Sequence, residues 1–229
     1  MDLLSPKLDK ILDAWIEEDL GSGDLTRFVL DNGKASAHWI AKEAGTFCGA
    51  DLIKLIFQKI DSNVDIQLFI EDGQKFIIDQ KLLELHGPSP SLVAGERVSL
   101  NIAMHLSGIA TSSAFLVSKL SGSNIKLADT RKTTPGLRIL EKYAFCCGGG
   151  INHRLGLDDA AMLKENHIEW SHGISESIKI LRKKIPWTKK IIVEAETPEQ
   201  AKEAAEAGAD GVLLDEMSIQ EIKKLVPEL

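Results

Sequence analysis

Residues 129–168 read DTRKTTPGLRILEKYAFCCGGGINHRLGLDDAAMLKENHI. Two compact basic clusters stand in this stretch, Arg131-Lys132 and His153-Arg154, and Lys164 and His167 follow on the next apolar run. Between Arg131 and His167, six Lys and Arg face four acids, in a chain whose formal net charge is -7. A positive island in an acidic protein suits an anionic small molecule, which opposite charge steers and holds. Residues 125–128 (IKLA) are short, mostly apolar and without helical period, which reads as a buried strand. Thr130, Arg131 and Lys132 then fall at a strand's C-terminal end, where α/β folds bind ligands. Thr133-Thr134-Pro135-Gly136 reads as a turn with Pro at the first positions of a helix. Gly148-Gly149-Gly150 allows close backbone approach or positive φ, and arginine suits two-pronged contacts with carboxylate or phosphate. Any one of these residues alone reads equally well as a solvated surface charge. The whole set does not.

Composition narrows the class. With 229 residues the chain can form one large domain or two modest ones. A hydrophobic share of 44% with 27% charged residues is that of a soluble globular protein. The net charge of -7 and a pI near 5.4 argue against a general nucleic-acid or anionic-membrane binder. No apolar run approaches the ~18–20 residues of a membrane span, and the N-terminus lacks the pattern of a secretory signal. Cys48, Cys146 and Cys147 are odd in number, include an adjacent pair and lack zinc-ligand spacing. They read as small buried hydrophobes in a reducing cytoplasm.

Along the chain, residues 5–20 carry apolar side chains at helical spacing, with Ser5-Pro6 as a start signal. Strands are expected over 35–42, 64–69 and 81–86, a helix over 50–60, and a loop over 87–92. Asp72-Gly73 is a turn signal. His38 and His86 are lone histidines near strands and read as structural. Residues 94–120 form a long helical region in which Arg97, Asn101, His105 and Gly108 recur on one side. Ser107-Gly108 is a candidate kink or break; His105 and Ser107 are second-tier candidates for the site. From residue 125 the rhythm turns to βαβα, with strands at 125–129, 161–163, 190–194 and 212–214, which argues for parallel pairing. The expected architecture is α/β: an N-terminal α+β sandwich domain with an inter-domain helix (1–110), then an incomplete α/β barrel of parallel strands (111–229). Arg131, Lys132, Lys164, Glu194 and Asp215 all fall at or near strand C-termini. Three apolar residues precede each of Glu194 and Asp215, which predicts equal heights. Two carboxylates in a basic pocket suggest Mg²⁺ bridged to phosphates; alternatively each acid pairs with a neighbouring Lys or Arg.

Asp129-Thr130-Arg131-Lys132-Thr133, Pro135-Gly136-Leu137-Arg138, Glu141-Lys142-Tyr143-Ala144, Gly148-Gly149-Gly150, Asn152-His153-Arg154-Leu155-Gly156-Leu157 and Lys164-Glu165-Asn166-His167-Ile168 together resemble the quinolinate phosphoribosyltransferase family. So do the runs from Glu18 to Thr26, Gly95-Glu96-Arg97, Leu106 to Thr111, and those around Glu194 and Asp215. The resemblance follows the family in order over nearly the whole chain. It implies transfer of phosphoribosyl from phosphoribosyl pyrophosphate to quinolinate with loss of CO₂, giving nicotinate mononucleotide for NAD synthesis in the cytoplasm. It implies that Thr130, Arg131, Lys132, His153 and Arg154 bind substrate, joined by Arg97 from the neighbouring subunit of a homodimer. It further implies that Lys132 and Lys164 face phosphates, and that Glu194 and Asp215 position Mg²⁺ and the ribose hydroxyls. Lys132, Lys164, Glu194 and Asp215 are the expected catalytic set. Family members usually continue past the Asp215-like position through two more strands, one with a Ser-Gly-Gly phosphate turn. The sequence ends at Leu229, so the barrel is expected to be C-terminally short. Two other readings stay open: a pyrophosphorylase-like paralogue associated with molybdate transport, and a quinolinate-binding remnant without catalysis. The first shares the Thr-Arg-Lys and His-Arg-Leu-Gly-Leu motifs but departs at Thr133-Thr134-Pro135 and Lys164-Glu165-Asn166-His167.

Overall fold

The structure, a computed structural model, describes residues 6–31 and 33–229. The chain divides into two compact units, one through His153 and the other from Arg154.

In the first unit, helix α1 (Pro6–Leu20) turns Leu8 and Leu12 inward; the expected start signal at Ser5 lies outside the described residues. Asp24 then caps a short 3-10 turn over Leu25–Val29 by accepting from the Thr26 amide. Strand β1 (Lys34–Ile40) alternates exposed and half-buried residues, as a strand with one covered face must. A short β2 (Gly45–Thr46) leads into α2 (Ala50–Ile60), which buries Leu52, Ile53, Ile56 and Phe57. Next come β3 (Asp65–Leu68), a two-residue β4 (Lys75–Phe76) and β5 (Lys81–Pro88). One antiparallel sheet has the order β1-β5-β3, and β2 pairs with β4.

Helix α3 (Ser89–Ser118) follows without the expected loop at 87–92. Pro90 sits in its first turn, where a missing N–H costs nothing, so the Pro and Ser cluster there starts the helix rather than separating elements. The helix is continuous through Ser107-Gly108. Ser107 is held by Cys48, accepting from its amide (3.0 Å) and donating to its carbonyl (3.3 Å). By length and composition α3 could cross a bilayer, contrary to the sequence expectation. It is instead the helix on which both core clusters of this unit are built. Val98, Ile102, Leu106 and Ala110 join Leu8, Leu12, Leu52 and Ile56 in one. Leu92 and Ala103 join Ile53, Phe57, Leu83 and Leu85 in the other. Gly95 lets α2 approach, because a Cβ there would lie 2.4 Å from the Phe57 ring. Gly95→Ala is expected to lower stability by about 1–3 kcal/mol through overpacking. Thermal unfolding checks this, and an unchanged midpoint would show that the Phe57 ring gives way freely.

Residues 125–129 do not form a strand. They make one parallel bridge, Ala128 to Ile151, with Ile151 N donating to Leu127 O (2.9 Å) and Asp129 N to Ile151 O (3.1 Å). Beyond it the Asp129 carboxylate, not the backbone, takes the next partner, the His153 amide (2.7 Å), and the ladder stops. Helix α4 (Arg138–Cys147) lies between these segments in sequence. The three glycines after it serve internal packing. A Cβ at Gly148 would meet Ala110 O at 2.5 Å, one at Gly150 would meet the Phe145 ring at 2.1 Å, and Gly149 has φ 92°.

The second unit keeps the expected βα rhythm. Its elements are β6 (Ala161–Leu163), a short α5 (Glu165–Glu169), α6 (Gly173–Lys184), β7 (Ile191–Ala195), α7 (Pro198–Glu206), β8 (Gly211–Leu214) and α8 (Ile219–Leu225). The strands are parallel in the order β6-β7-β8. Ile191, Val193 and Leu163 pack on Ile174, Ile178 and Ala204 of the crossover helices. Thr197 caps α7 through the Gln200 amide, and Ser218 with Glu221 forms a capping box on α8. Within this unit the parallel part is the three-stranded sheet β6-β7-β8, where the sequence reading expected strands of a barrel.

Candidate active site

The first unit carries Thr130, Arg131 and Lys132 on the loop that leaves the Ala128 bridge, and His153 on the adjacent segment. A buried ion pair holds these two segments. Lys142 of α4, 1% exposed, donates its ammonium to Asp129 and to the His153 carbonyl (3.0 Å). In its satisfied orientation the Asn152 amide donates to the other Asp129 oxygen (2.7 Å) and to Lys142 O (3.2 Å). Two neighbouring chain ends thus converge on one carboxylate.

The loop that follows is also tied down. Thr130 Oγ1 accepts from the Lys132 amide (3.0 Å), and the Thr133 amide donates to Arg131 O (2.9 Å). Arg138 Nε donates to Thr133 Oγ1 (3.1 Å). Glu141 accepts from the Thr134 amide (3.0 Å) and lies 2.9 Å from His105 Nε2. Burial alone would raise the Glu141 carboxyl, but the bonds from Thr134 and His105 outweigh it and hold it below the usual range. His105 and Ser107 are thus each engaged by a hydrogen bond within the first unit. Arg131 is half-buried, and its Nε is buried with no hydrogen-bond partner among the described residues. Buried donors are normally satisfied, so this guanidinium fits an anion that the protein itself does not supply. Lys132 is exposed and makes no ion pair among the described residues. Arg97 is exposed on α3, also with no ion pair among the described residues.

The second unit carries the rest. Arg154 Nη1 donates to Ala160 O (2.9 Å), which braces the turn ahead of β6. Leu163 is in register with Val193, so Lys164 and Glu194 stand level on neighbouring strands. Lys164 Nζ reaches both Glu194 oxygens at 2.8 Å. Glu194 is thus paired with a lysine in this structure, as the plainer sequence reading had it. Asp215 is not level with Glu194. Glu194 is in register with Leu213, which puts Asp215 two residues farther along on the same side of the sheet. Equal runs of apolar residues before each acid do not give equal heights, because β7 and β8 start at different levels. Asp215 is exposed, and its carboxylate makes no hydrogen bond or ion pair among the described residues. Of these two carboxylates Asp215 presents oxygen atoms of the kind Mg²⁺ takes, whereas both Glu194 oxygens are engaged by Lys164.

Asp129, Lys142 and Asn152 were not among the expected site residues. A lysine on an amphipathic helix reads as solvated, and only the buried Asp129 opposite reveals its role. A cavity of about 1040 Å³ is lined by the β1 face and α3, including Trp39, Leu92, Ala103, Met104 and Thr111; Ser107 lines it, but Thr130, Arg131, Lys132 and His153 do not.

Residues 24–107 match the family model of the quinolinate phosphoribosyl transferase N-terminal domain, and residues 109–229 that of the C-terminal domain. The probable nicotinate-nucleotide pyrophosphorylase [carboxylating] of Bacillus subtilis (strain 168) is 44% identical, over 96% of this chain and 78% of its own length. The nicotinate-nucleotide pyrophosphorylase [carboxylating] of Homo sapiens is 35% identical, over 96% and 74%. The crystal structure of NadC from Streptococcus pyogenes superposes with a TM-score of 0.94 at 41% identity, covering 98% of this chain and 80% of that one. Both halves of the sequence, the fold and the identity to these relatives agree, and the chain belongs to the quinolinate phosphoribosyltransferase family.

Proposed function

We propose that this chain transfers phosphoribosyl from phosphoribosyl pyrophosphate to quinolinate and decarboxylates the adduct to nicotinate mononucleotide, a step of NAD synthesis. The observation that carries this reading is the match to both family domains in order over residues 24–107 and 109–229. The relatives at 35–44% identity bear the carboxylating pyrophosphorylase name, which favours it over the molybdate-associated paralogue.

Quinolinate presents two adjacent carboxylates on a pyridine ring. Forked arginines match such anions better than single ammonium groups. In this reading Arg131, His153 and Arg154 bind the carboxylates, with Thr130 and Lys132 beside them. The orphaned Nε of Arg131 supports that role. Arg97 is supplied by the partner in a homodimer, a role its exposed position on α3 permits. Lys132 and Lys164 neutralise phosphate charge, and Lys164 exchanges Glu194 for that anion. Glu194 and Asp215 then hold the ribose hydroxyls and Mg²⁺. When bound, Mg²⁺ supplies charge neutralisation on the departing pyrophosphate. The pyridine nitrogen forms its bond to ribose C1 as pyrophosphate leaves, the pyridinium so formed stabilises the electron pair left on C2 as CO₂ departs, and C2 then takes a proton from solvent. Fixed cations near C2 stabilise that developing charge without reorganising. The three free thiols suit a reducing cytoplasm.

The test is the release of labelled CO₂ from quinolinate carrying the label in its 2-carboxylate. Release is expected to require phosphoribosyl pyrophosphate and Mg²⁺ and to match nicotinate mononucleotide formed. Pure, folded protein that binds quinolinate but releases no CO₂ would overturn the catalytic reading.

A further inference from the structure

Cys48 and Cys147 lie 99 residues apart in sequence, yet their sulfurs are 3.7 Å apart. Cys48 sits just ahead of α2 and is fully buried; Cys147 closes α4 and is half-buried. The Asp72 carboxylate joins them, one ligand atom from each of the three lying within 4.8 Å of the others. Such a trio invites two readings, a cation site and a reactive dithiol. The surroundings of Asp72 decide between them. Its Oδ1 accepts from the Gly49 and Ala50 amides (2.8 and 2.9 Å), and its Oδ2 from the Tyr143 hydroxyl (2.6 Å). The carboxylate is therefore committed to the first turn of α2, whose dipole end repels a cation. The two sulfurs are left facing each other.

We infer that Cys48 and Cys147 form a dithiol modification site that a two-electron oxidant of the peroxide class closes to an intramolecular disulfide. The sulfurs need to approach by roughly 1.7 Å to reach bonding distance, a shift within reach of side-chain torsion. Cys147 is the attacking thiol. The bond donated by the Cys48 thiol stabilises its thiolate and lowers its pKa, while the same bond and burial raise that of Cys48. Cys146 is pushed up, by burial first and by Asp129 next, so it is the poorer nucleophile. Asp72 and Tyr143 line a pocket of about 570 Å³, which brings solvent up to the cluster. The Cys147 thiolate attacks one peroxide oxygen, the O–O bond breaks, and hydroxide leaves, giving a sulfenic acid. The Cys48 sulfur then attacks the Cys147 sulfur, the S–O bond breaks, and water leaves with the Cys48 proton. Two thiols lose two electrons, and peroxide plus the two thiol protons become two waters. No part of this depends on the reaction proposed above.

The test uses the reduced full chain, exposed to hydrogen peroxide, then alkylated and mapped by peptide mass. The expected result is a loss of two hydrogens, one Cys48–Cys147 cross-linked peptide, and Cys146 as the alkylated thiol. Reductant should restore three alkylatable thiols, and Cys146→Ser should keep the cross-link. A Cys146–Cys147 linkage, or sulfinic acid on Cys147 without a cross-link, would overturn the inference. So would three alkylated thiols after oxidation. Because the parent chain itself gives the deciding readout, no variant needs to fold for the inference to fail.

Discussion

Lys142→Met is expected to lower unfolding free energy by about 3–5 kcal/mol, the cost of breaking a buried ion pair at one partner. The ammonium it removes is the one that Asp129 and the His153 carbonyl share, and both groups stay buried without it. Methionine keeps the bulk, so a cavity does not account for the loss. Chemical denaturation measures it. Adding Asp129→Leu should recover part of the loss, because an apolar pair in place of a buried ionic pair is often neutral. Recovery stays incomplete, since Asp129 also takes the His153 amide. A single variant within 1 kcal/mol of the parent would show that water reaches Asp129 freely, and would end the description of this pair as the clamp.

The second large effect is on rate. Arg131→Ala is expected to reduce turnover by roughly 10²–10³, the usual loss on removing one preorganised charge. Its Nε donates to nothing among the described residues, so the deletion breaks no hydrogen bond of that atom and stability should barely move. Arg131→Lys should restore little, since an ammonium cannot reproduce the fork. Initial rates of nicotinate mononucleotide formation, beside calorimetric titration with quinolinate, separate binding from turnover. Near-parental rates in Arg131→Ala would remove this residue from the substrate-binding set.

Where a residue's own periodicity set the structure, the sequence was legible. Residues 50–60 became α2 with those bounds, and the apolar runs before Glu194 and Asp215 became β7 and β8. Legibility failed where long-range partners decide. The 125–128 run has the composition of a strand, yet its neighbour after Gly150 offers only one bridging position before Asp129 turns its side chain to the His153 amide. The Ser-Pro-Ser run at 89–91 reads as loop from local propensity, but Leu92, packed in the core, and Gly95, against the Phe57 ring, pull it into helix. In the candidate site, charge is what singled out the motif residues, whereas Lys142 was hidden by the habit of reading helix lysines as solvated. The relative heights of Glu194 and Asp215 depend on strand register, which no single strand encodes.

Helix α3 has a consequence for how the first unit comes apart. Its Val98, Ile102, Leu106 and Ala110 belong to one apolar cluster, and its Leu92 and Ala103 to the other. Neither cluster can loosen while the helix holds, and the helix cannot fray inward without opening both. The central amides of α3 should therefore exchange with solvent only through complete opening of the unit, with no cheaper route, while those of α1 escape earlier by local fraying. The 30-residue helix makes the two clusters fail as one.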